Sequence, residues 1–302
     1  MTALRIGTRR SDLALAQAGR VRLLLRANGL DAQIVPMTTA GDEGEAVDVT
    51  TSRAGIKGMF IDTIVSALRD GAIDLAVHSA KDLPAEEEDD VVIGAVPERG
   101  DPRDVLVLRG ERPLGAGMWV GTSSVRRRAQ LLAAHPGVEV AHLRGNVPTR
   151  LRKLDAGDVD AVILAAAGLD RLGIRREHAH PLGVGEMLPA PGQGCLAVQC
   201  RAADRKLRAA LTLLEHHASG VALETERALV RRLGGGCDLP LGAIAAVRGD
   251  TIRLAAIVAS PDGSELLRAA ADASLPERAA TLVADALVEQ GADAILASVQ
   301  GA

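Results

Sequence analysis

The sequence predicts an α/β fold with two domains of alternating strands and helices, followed by a small α+β domain. Residues 4–98 and 118–165 each alternate short apolar runs with apolar residues at helical spacing, which is typical of βαβ units around a mainly parallel sheet. The tail instead shows two strand-like runs joined by a tight turn and then a helix. A length of 302 residues suits two or three such domains.

The first block begins with strands over 4–7 and 32–37, on either side of a helix over 12–27 that follows the N-cap residue Ser11. Residues 39–56 are polar, contain glycine and show no periodicity, which predicts a lid or a disordered loop. A helix over 59–68 and strands over 74–78 and 91–96 complete the block.

The second block contains strands over 118–120, 138–142 and 160–165, separated by helices over 124–134 and 147–156. A strand over 196–200 and helices over 204–217 and 219–233 follow. In the tail, strands over 241–247 and 251–258 are joined at Arg248-Gly249-Asp250, and a helix covers 276–290.

The composition excludes several classes of function. The 35 basic and 39 acidic residues give a formal net charge of −4, and one Phe, one Trp and no Tyr leave few rings on which bases could stack. Cys195, Cys200 and Cys237 are too few for a disulfide framework and lack zinc spacing. The longest apolar run is far shorter than a ~20-residue membrane span, and the first residues do not form a signal peptide. We therefore expect a soluble cytoplasmic protein with no metal, no membrane and no nucleic-acid partner.

Polar side chains lie just past an apolar strand in residues 74–84. His78, Ser79, Lys81 and Asp82 fall at the carboxyl end of that strand, where open α/β sheets bind their ligands. A carboxylate there can stabilise a cationic intermediate or transfer a proton. The alternative is a solvated turn before the proline, which the local pattern alone favours.

Arginine and hydroxyl side chains recur where predicted strands are followed by helices. The segment GTSSVRRR from residue 121 opens a helix whose N-terminus can hold an anion. The side chains at these junctions are Arg9, Ser11, Thr122, Ser124, Arg126, Arg127, Arg144 and Arg150, and Arg171 follows a helical run at 165–170. If they face one cleft, they suit a ligand with many carboxylates or phosphates. Alternatively, each arginine pairs with a distant Asp or Glu.

One cysteine differs from the other two in its surroundings. Cys237 follows three glycines, so backbone or ligand can approach its sulfur closely, and such a loop suits a covalently modified thiol. Cys195 and Cys200 lie in an apolar run and are expected in the core.

Together these segments resemble the hydroxymethylbilane synthase family, also called porphobilinogen deaminases, over essentially the whole chain. The resemblance is carried in order by RIGTRRSDLA from residue 5, GMF from 58, AVHSAKDLP from 76, DPRD from 101, GTSSVRR from 121, LRGNV from 143, LAAAGL from 164, PGQG from 191 and GGC from 235. It implies two domains similar to type II periplasmic binding proteins that enclose a cleft, with a C-terminal α+β domain that carries the cofactor cysteine. The implied boundaries are 1–98 with 195–215, 99–194 and 216–302, in a monomer.

The resemblance also implies a transferase of porphyrin and haem biosynthesis. Cys237 is expected to hold a dipyrromethane cofactor in thioether linkage as a permanent primer. Four porphobilinogen molecules are added to it, each losing ammonia to give an electrophilic azafulvene, and water then releases linear hydroxymethylbilane. Each pyrrole adds two carboxylates, which accounts for the many arginines.

Single residues follow from the same correspondence. Asp82 matches the catalytic carboxylate, and Phe60 matches a residue that stacks on a pyrrole ring. The expected cofactor ligands beside Cys237 are Ser79, Lys81, Asp104, Ser124, Arg126, Arg127 and Arg144. The expected substrate ligands are Arg9, Ser11, Phe60, Thr122, Arg150, Arg171 and Gln193.

Two other functions remain as alternatives. A non-catalytic polycarboxylate-binding module of the periplasmic type could keep the two domains, but it needs neither Asp82 nor a glycine-flanked Cys237 and usually carries an export signal. An arginine-rich nucleic-acid protein is disfavoured by the net charge and the scarcity of aromatic residues.

Overall fold

The computed structural model describes residues 3–38, 55–86, 88–234 and 239–300. The chain divides into two compact units. Unit 1 comprises Met1–Arg99 and Cys195–Gly220, and unit 2 comprises Gly100–Gly194 and Val221–Ala302.

Unit 1 is built around a five-stranded sheet. Its strands, numbered along the chain, are β1 (Leu4–Arg9), β2 (Ala32–Met37), β3 (Leu75–Ser79), β4 (Val91–Ala95) and β10 (Leu196–Arg201), and its helices are α1 (Asp12–Ala27), α2 (Gly55–Arg69) and α6 (Arg205–Leu211). The strand order is β2-β1-β3-β10-β4; β1 is parallel to β2 and β3, whereas β10 is antiparallel to β3 and β4. The core on one face contains Ile6, Val21, Leu25, Leu75 and Val198.

Helix α1 shows how local sequence sets an element's ends. The Oγ of Ser11 accepts a hydrogen bond from the N–H of Ala14 at 3.3 Å, and Asp12 adds a negative charge to the first turn. At the other end, Gly29 adopts a positive φ of 75° that stops the helix. The predicted bounds of α1 and β2 are confirmed, and α1 leaves Arg9 and Ser11 at the carboxyl end of β1.

Unit 2 contains a second five-stranded sheet with the same topology. Its strands are β5 (Asp104–Leu108), β6 (Trp119–Gly121), β7 (Glu139–Ala141), β8 (Ala161–Ala165) and β9 (Ala179–Pro181), and its helices are α3 (Val125–Ala134), α4 (Val147–Ala156) and α5 (Ala166–Arg171). The order is β7-β6-β8-β5-β9, with β5 antiparallel to both neighbours. β5 therefore takes the place in this sheet that β10 takes in the first one. The predicted pair of mainly parallel α/β sheets built from βαβ units is confirmed.

The C-terminal part of the chain is an α+β layer, as predicted. It consists of α7 (His217–Arg232), β11 (Leu241–Arg248), β12 (Thr251–Ala259), β13 (Leu266–Ala273), α8 (Pro276–Glu289) and α9 (Ala292–Gln300). The three strands form an antiparallel sheet in the order β11-β12-β13. Leu229, Leu254, Val283 and Leu287 are fully buried in its core.

The β12–β13 turn packs on helix α3 of the second sheet. The Nε of Arg128 donates to the carbonyl of Pro261 at 3.3 Å. Gly263 has a φ of 77°, and a Cβ there would lie 2.6 Å from the carbonyl oxygen of Ala129. Only glycine permits this approach.

Several elements differ from the sequence prediction. The strands β5, β9 and β13 and the helix α9 were not predicted, and the helix predicted over 204–217 ends as a 3₁₀ turn at Thr212–Leu214. β5 is buried at every position, so it shows no alternation of apolar and polar residues. Of the loop predicted over 39–56, residues 39–54 lie outside the described residues, and Gly55 and Ile56 begin α2.

Candidate active site

The carboxyl end of β3 places Asp82 and Lys81 beyond the sheet of unit 1. A single 3₁₀ turn, Ala80–Asp82, follows Ser79 directly, and the N–H of Ala80 donates to the carbonyl of Cys195, the residue before β10, at 3.1 Å. Both charged side chains are partly exposed. The turn before the proline is therefore tied to the strand end rather than being a free solvated turn.

Arg9 and Ser11 lie at the same edge, because β1 runs parallel to β3. Gln17, on the buried face of α1, connects this helix to the end of β3: its Nε2 donates to the Oγ of Ser79 at 3.2 Å. Sequence reasoning missed Gln17. A signal was present, since it is a polar residue next to Ala18 on the apolar face of a helix.

His78 lies in β3, immediately before Ser79, and is buried. Burial lowers the pKa of His78 to about 4, although the negative charge of Asp82 opposes the shift. The imidazole is therefore neutral at pH 7. Its Nε2 has no hydrogen-bond partner among the residues that the structure describes.

In unit 2, two of the predicted arginines share one buried carboxylate. The Oδ2 of Asp104 accepts from Nη1 of Arg126 at 2.8 Å, and Oδ1 accepts from Nε and Nη2 of Arg127 at 3.2 and 2.8 Å. Asp104 is 0% exposed, and the arginines are 4% and 6% exposed. Arg126 and Arg127 thus pair with an acid that is distant in the sequence, which is the pairing that the alternative describes.

The cluster carries one more positive than negative charge. Burial alone would raise the pKa of Asp104, but the charges of Arg126 and Arg127 outweigh it and hold that pKa well below its usual range. Burial also lowers the pKa of Arg126, which Asp104 opposes. Asp104 is thus ionised and serves as the counter-ion of the two arginines.

Three further arginines of unit 2 were predicted as ligands. The Nε of Arg150 donates to the carbonyl of Gly145 at 2.8 Å, and burial lowers its pKa, with the charge of Arg127 adding to the shift. The Nε of Arg144 donates to Nε2 of His142 at 2.8 Å. Among the described residues, neither Arg144 nor Arg150 pairs with a carboxylate. Nη2 of Arg171 donates to the carbonyl of Gly194 at 2.6 Å.

The predicted hydroxyl ligands of unit 2 belong to the helix start that carries the arginines. Ser124 is the N-cap of α3, and its Oγ accepts from the N–H of Arg127 at 3.4 Å. The Oγ1 of Thr122 accepts from the N–H of Ser124 at 3.1 Å. These contacts orient the start of the helix from which Arg126 and Arg127 project.

The remaining predicted site residues are Gln193, Phe60 and Cys237. Gln193 is 1% exposed, and its Nε2 donates to Asp104 and to the carbonyl of Pro102, both at 2.8 Å. Phe60 lies in α2, but its side chain and all of Cys237 lie outside the described residues. Cys195 and Cys200 are fully buried, as predicted.

Neither a metal site nor a membrane-spanning helix occurs among the described residues. No group of three or more His, Cys, Asp and Glu side chains there is arranged to hold a metal ion. None of the helices described is both long enough and apolar enough to span a bilayer.

Two solved structures each align with more than two thirds of the chain. A periplasmic substrate-binding protein of an ABC transporter from Coxiella burnetii aligns with a TM-score of 0.42 and 16% identity, covering 72% of this chain and 93% of that one. The periplasmic VFT2 domain of BvgS from Bordetella pertussis aligns with a TM-score of 0.41 and 12% identity, covering 70% and 86%.

Two family models cover most of the chain. Residues 4–209 match the porphobilinogen deaminase dipyromethane cofactor binding domain, and residues 221–289 match the porphobilinogen deaminase C-terminal domain. The porphobilinogen deaminase of Brevibacillus brevis is 44% identical over 301 residues, 98% of this chain and 97% of the relative. That of Syntrophotalea carbinolica is 43% identical over 305 residues, 99% and 96%. The chain belongs to the porphobilinogen deaminase family.

Proposed function

We propose that the chain acts as a hydroxymethylbilane synthase. In this reaction four porphobilinogen molecules are joined head to tail on a bound dipyrromethane, and hydrolysis then releases linear hydroxymethylbilane. The observation that carries the proposal is the excess of guanidinium groups in unit 2. Arg126 and Arg127 share Asp104, while Arg144 and Arg150 pair with no described carboxylate. Such an excess of guanidinium groups suits a ligand that gains two carboxylates with every unit added.

Asp82 is proposed as the catalytic carboxylate. In each addition the C–N bond of the aminomethyl group breaks, ammonia leaves, and a C–C bond forms at a free pyrrole α-carbon that loses its proton. The cation left after ammonia departs needs a negative charge, and the proton needs an acceptor. The anchored turn at Ala80–Asp82 holds a carboxylate suited to both roles, with Lys81 beside it.

The arginines are proposed to bind and orient the acetate and propionate groups. Planar guanidinium groups bind carboxylates in a bidentate geometry, so several of them can fix a flexible chain. The residues proposed to serve the substrate are Arg9, Ser11, Phe60, Thr122, Arg150, Arg171 and Gln193. Those proposed to serve the cofactor are Ser79, Lys81, Asp104, Ser124, Arg126, Arg127 and Arg144. Asp104 and Gln193 are proposed to act indirectly, because Asp104 pairs with the arginines and Gln193 donates to Asp104.

The dipyrromethane fits the donors that the structure describes, because its acid side chains match the cationic groups of α3 and α4. We propose Cys237 as its thioether anchor. When bound, the group supplies the free pyrrole α-carbon on which elongation begins. The three glycines before Cys237 have no side chains, which favours access of a ring to the sulfur.

The organisation into three domains, 1–98 with 195–215, 99–194 and 216–302, is also proposed. It is supported by three sheets with separate cores. We propose further that the enzyme is a monomer in the cytoplasm, where free cysteines stay reduced.

The intact mass of the purified protein, with peptide mapping of residues 234–240, tests the proposal most directly. We expect a mass increment of two pyrrole units on Cys237, no increment in Cys237→Ser, and condensation of porphobilinogen by the parent only. An unmodified mass that persists after incubation with porphobilinogen would favour a binding protein that has lost the chemistry. A pigment still attached in Cys237→Ser would move the anchor to another residue.

A further inference from the structure

Glu226 is a buried carboxylate that the proposed reaction does not use. It lies in α7 and is 0% exposed. Its Oε2 accepts from the N–H of Gly192 at 2.6 Å, and its Oε1 accepts from the N–H of Ala245 at 2.8 Å. Burying a carboxylate costs free energy that strong hydrogen bonds must offset, so its place in the fold needs a reason.

The two N–H groups belong to different parts of unit 2. Ala245 lies in β11 of the third sheet, whereas Gly192 lies in the segment 188–194, which follows the second sheet. The N–H of Ala243 also donates to the carbonyl of Pro189 at 2.9 Å. Glu226 therefore joins the segment 188–194 to α7 and β11, the elements that precede and follow residues 235–238 in the chain.

The same segment contacts the arginines from its other side. The carbonyl of Leu188 accepts from Nη1 of Arg126 at 2.5 Å. Gln193, next to Gly192, donates to Asp104 and so contacts the counter-ion of Arg126 and Arg127. The carbonyl of Gly194 accepts from Arg171. A shift of this segment would move several of the proposed anion-binding groups together.

We propose that Glu226 is a positioning residue for elongation: it holds the segment 188–194 so that the arginines stay aligned with the growing polycarboxylate. The proposal rests on the proposed function. An isosteric amide retains one acceptor but turns a donor toward the other N–H, so Glu226→Gln should release one side of the segment. Small misplacements of binding groups reduce catalysis strongly.

The test uses the cofactor-loaded enzyme and Glu226→Gln, with Glu224→Gln as the matched control. Glu224 lies on the same helix but forms a partly exposed ion pair with Arg231 at 2.5 Å. For each protein, kcat, KM for porphobilinogen and the lengths of enzyme-bound chains by intact mass are measured. We expect Glu226→Gln to raise KM roughly tenfold or more and to accumulate short chains, with Glu224→Gln equal to the parent.

Unchanged KM and chain lengths in Glu226→Gln, with only less folded enzyme, would show a purely structural role and overturn the proposal. If that variant does not fold, Gly242→Ala gives a second test. Its Cβ would lie 3.0 Å from the carbonyl oxygen of Leu188 and displace the same segment from the β11 side. A normal KM in Gly242→Ala would then overturn the proposal. A parent enzyme that does not condense porphobilinogen would overturn the proposed function, and this one with it.

Discussion

At the scale of single residues, Asp82 is the group on which turnover should depend. Asp82→Asn keeps the shape but removes the negative charge and the proton acceptor, so we expect kcat to fall by about 10²–10⁴-fold. The fold and the mass of the loaded cofactor should be retained. The control Asp89→Asn alters an exposed carboxylate in the same unit and should leave kcat unchanged. Substantial activity in Asp82→Asn would refute the assignment.

Asp104 should matter for stability as well as for binding. Asp104→Asn leaves two buried guanidinium groups without a counter-charge, so we expect the free energy of unfolding to fall by about 3–5 kcal/mol in urea titrations. The control is Asp101→Asn, which breaks the more exposed pair with Arg103 and should cost less than about 1 kcal/mol. Equal losses in the two variants would contradict the role of Asp104 as a buried counter-ion.

His78 should make stability depend on pH. Burial lowers its pKa to about 4 from an ordinary 6.5, so between these values the unfolded chain takes up a proton that the folded protein does not. The free energy of unfolding is therefore highest above pH 6.5 and falls as the pH drops toward 4, by roughly 2–4 kcal/mol from this group. Denaturation of His78→Gln across this range should show a shallower decline than the parent. An identical decline would mean that His78 does not titrate as its burial indicates.

At the scale of elements, the docking of the β12–β13 turn on α3 can be tested with two glycines. Gly263 and Gly249 both have positive φ, but a Cβ at 249 meets open space, whereas one at 263 meets the backbone of Ala129 and Ala133. Gly249→Ala should cost about 1–2 kcal/mol, and Gly263→Ala about 1–3 kcal/mol more. Thermal or urea unfolding measures the difference. Equal decreases in the free energy of unfolding would show that the turn can move away from α3 without loss of stability.

Some helices could be predicted from the sequence with their bounds, whereas other elements could not. Helices α1 and α4 were predicted with the observed bounds, since Ser11 and Asn146 are N-cap residues at their starts. β5 was missed because a strand buried at every position has no alternation, and its length of five residues gives little other signal. α9 was missed because it follows α8 closely, separated by Gly291.

Partners of buried polar groups were the least predictable feature of the site. The motifs identified the arginines, but no local pattern tells that Asp104, far away in the chain, faces both Arg126 and Arg127. Gln17 and Glu226 are buried on their helices, although Gln and Glu side chains are mostly exposed to solvent in proteins. Their contacts depend on tertiary packing, which spacing along the chain does not encode.

At the scale of the whole molecule, the two five-stranded sheets follow one plan. In each, an antiparallel strand lies between the third parallel strand and the edge strand, as β10 does in unit 1 and β5 in unit 2. The repeat explains why strand-to-helix junctions with arginines and hydroxyl groups occur in both halves. Sequence periodicity indicated the repeat of βαβ units, but it did not give the strand order. β10 and β5 lie outside the two stretches of alternating strands and helices that the sequence predicted, residues 4–98 and 118–165.

The position of β10 has a consequence for how the protein is made. β10 begins at Leu196, yet it lies between β3 and β4, both of which are complete by Ala95. A ribosome adds about 5–20 residues per second. During synthesis, β4 therefore lacks its partner strand β10 for several seconds. Unit 2's first sheet has all its strands by Pro181 and can close earlier. Of the two five-stranded sheets, the one whose synthesis begins first is therefore the last to have all its strands.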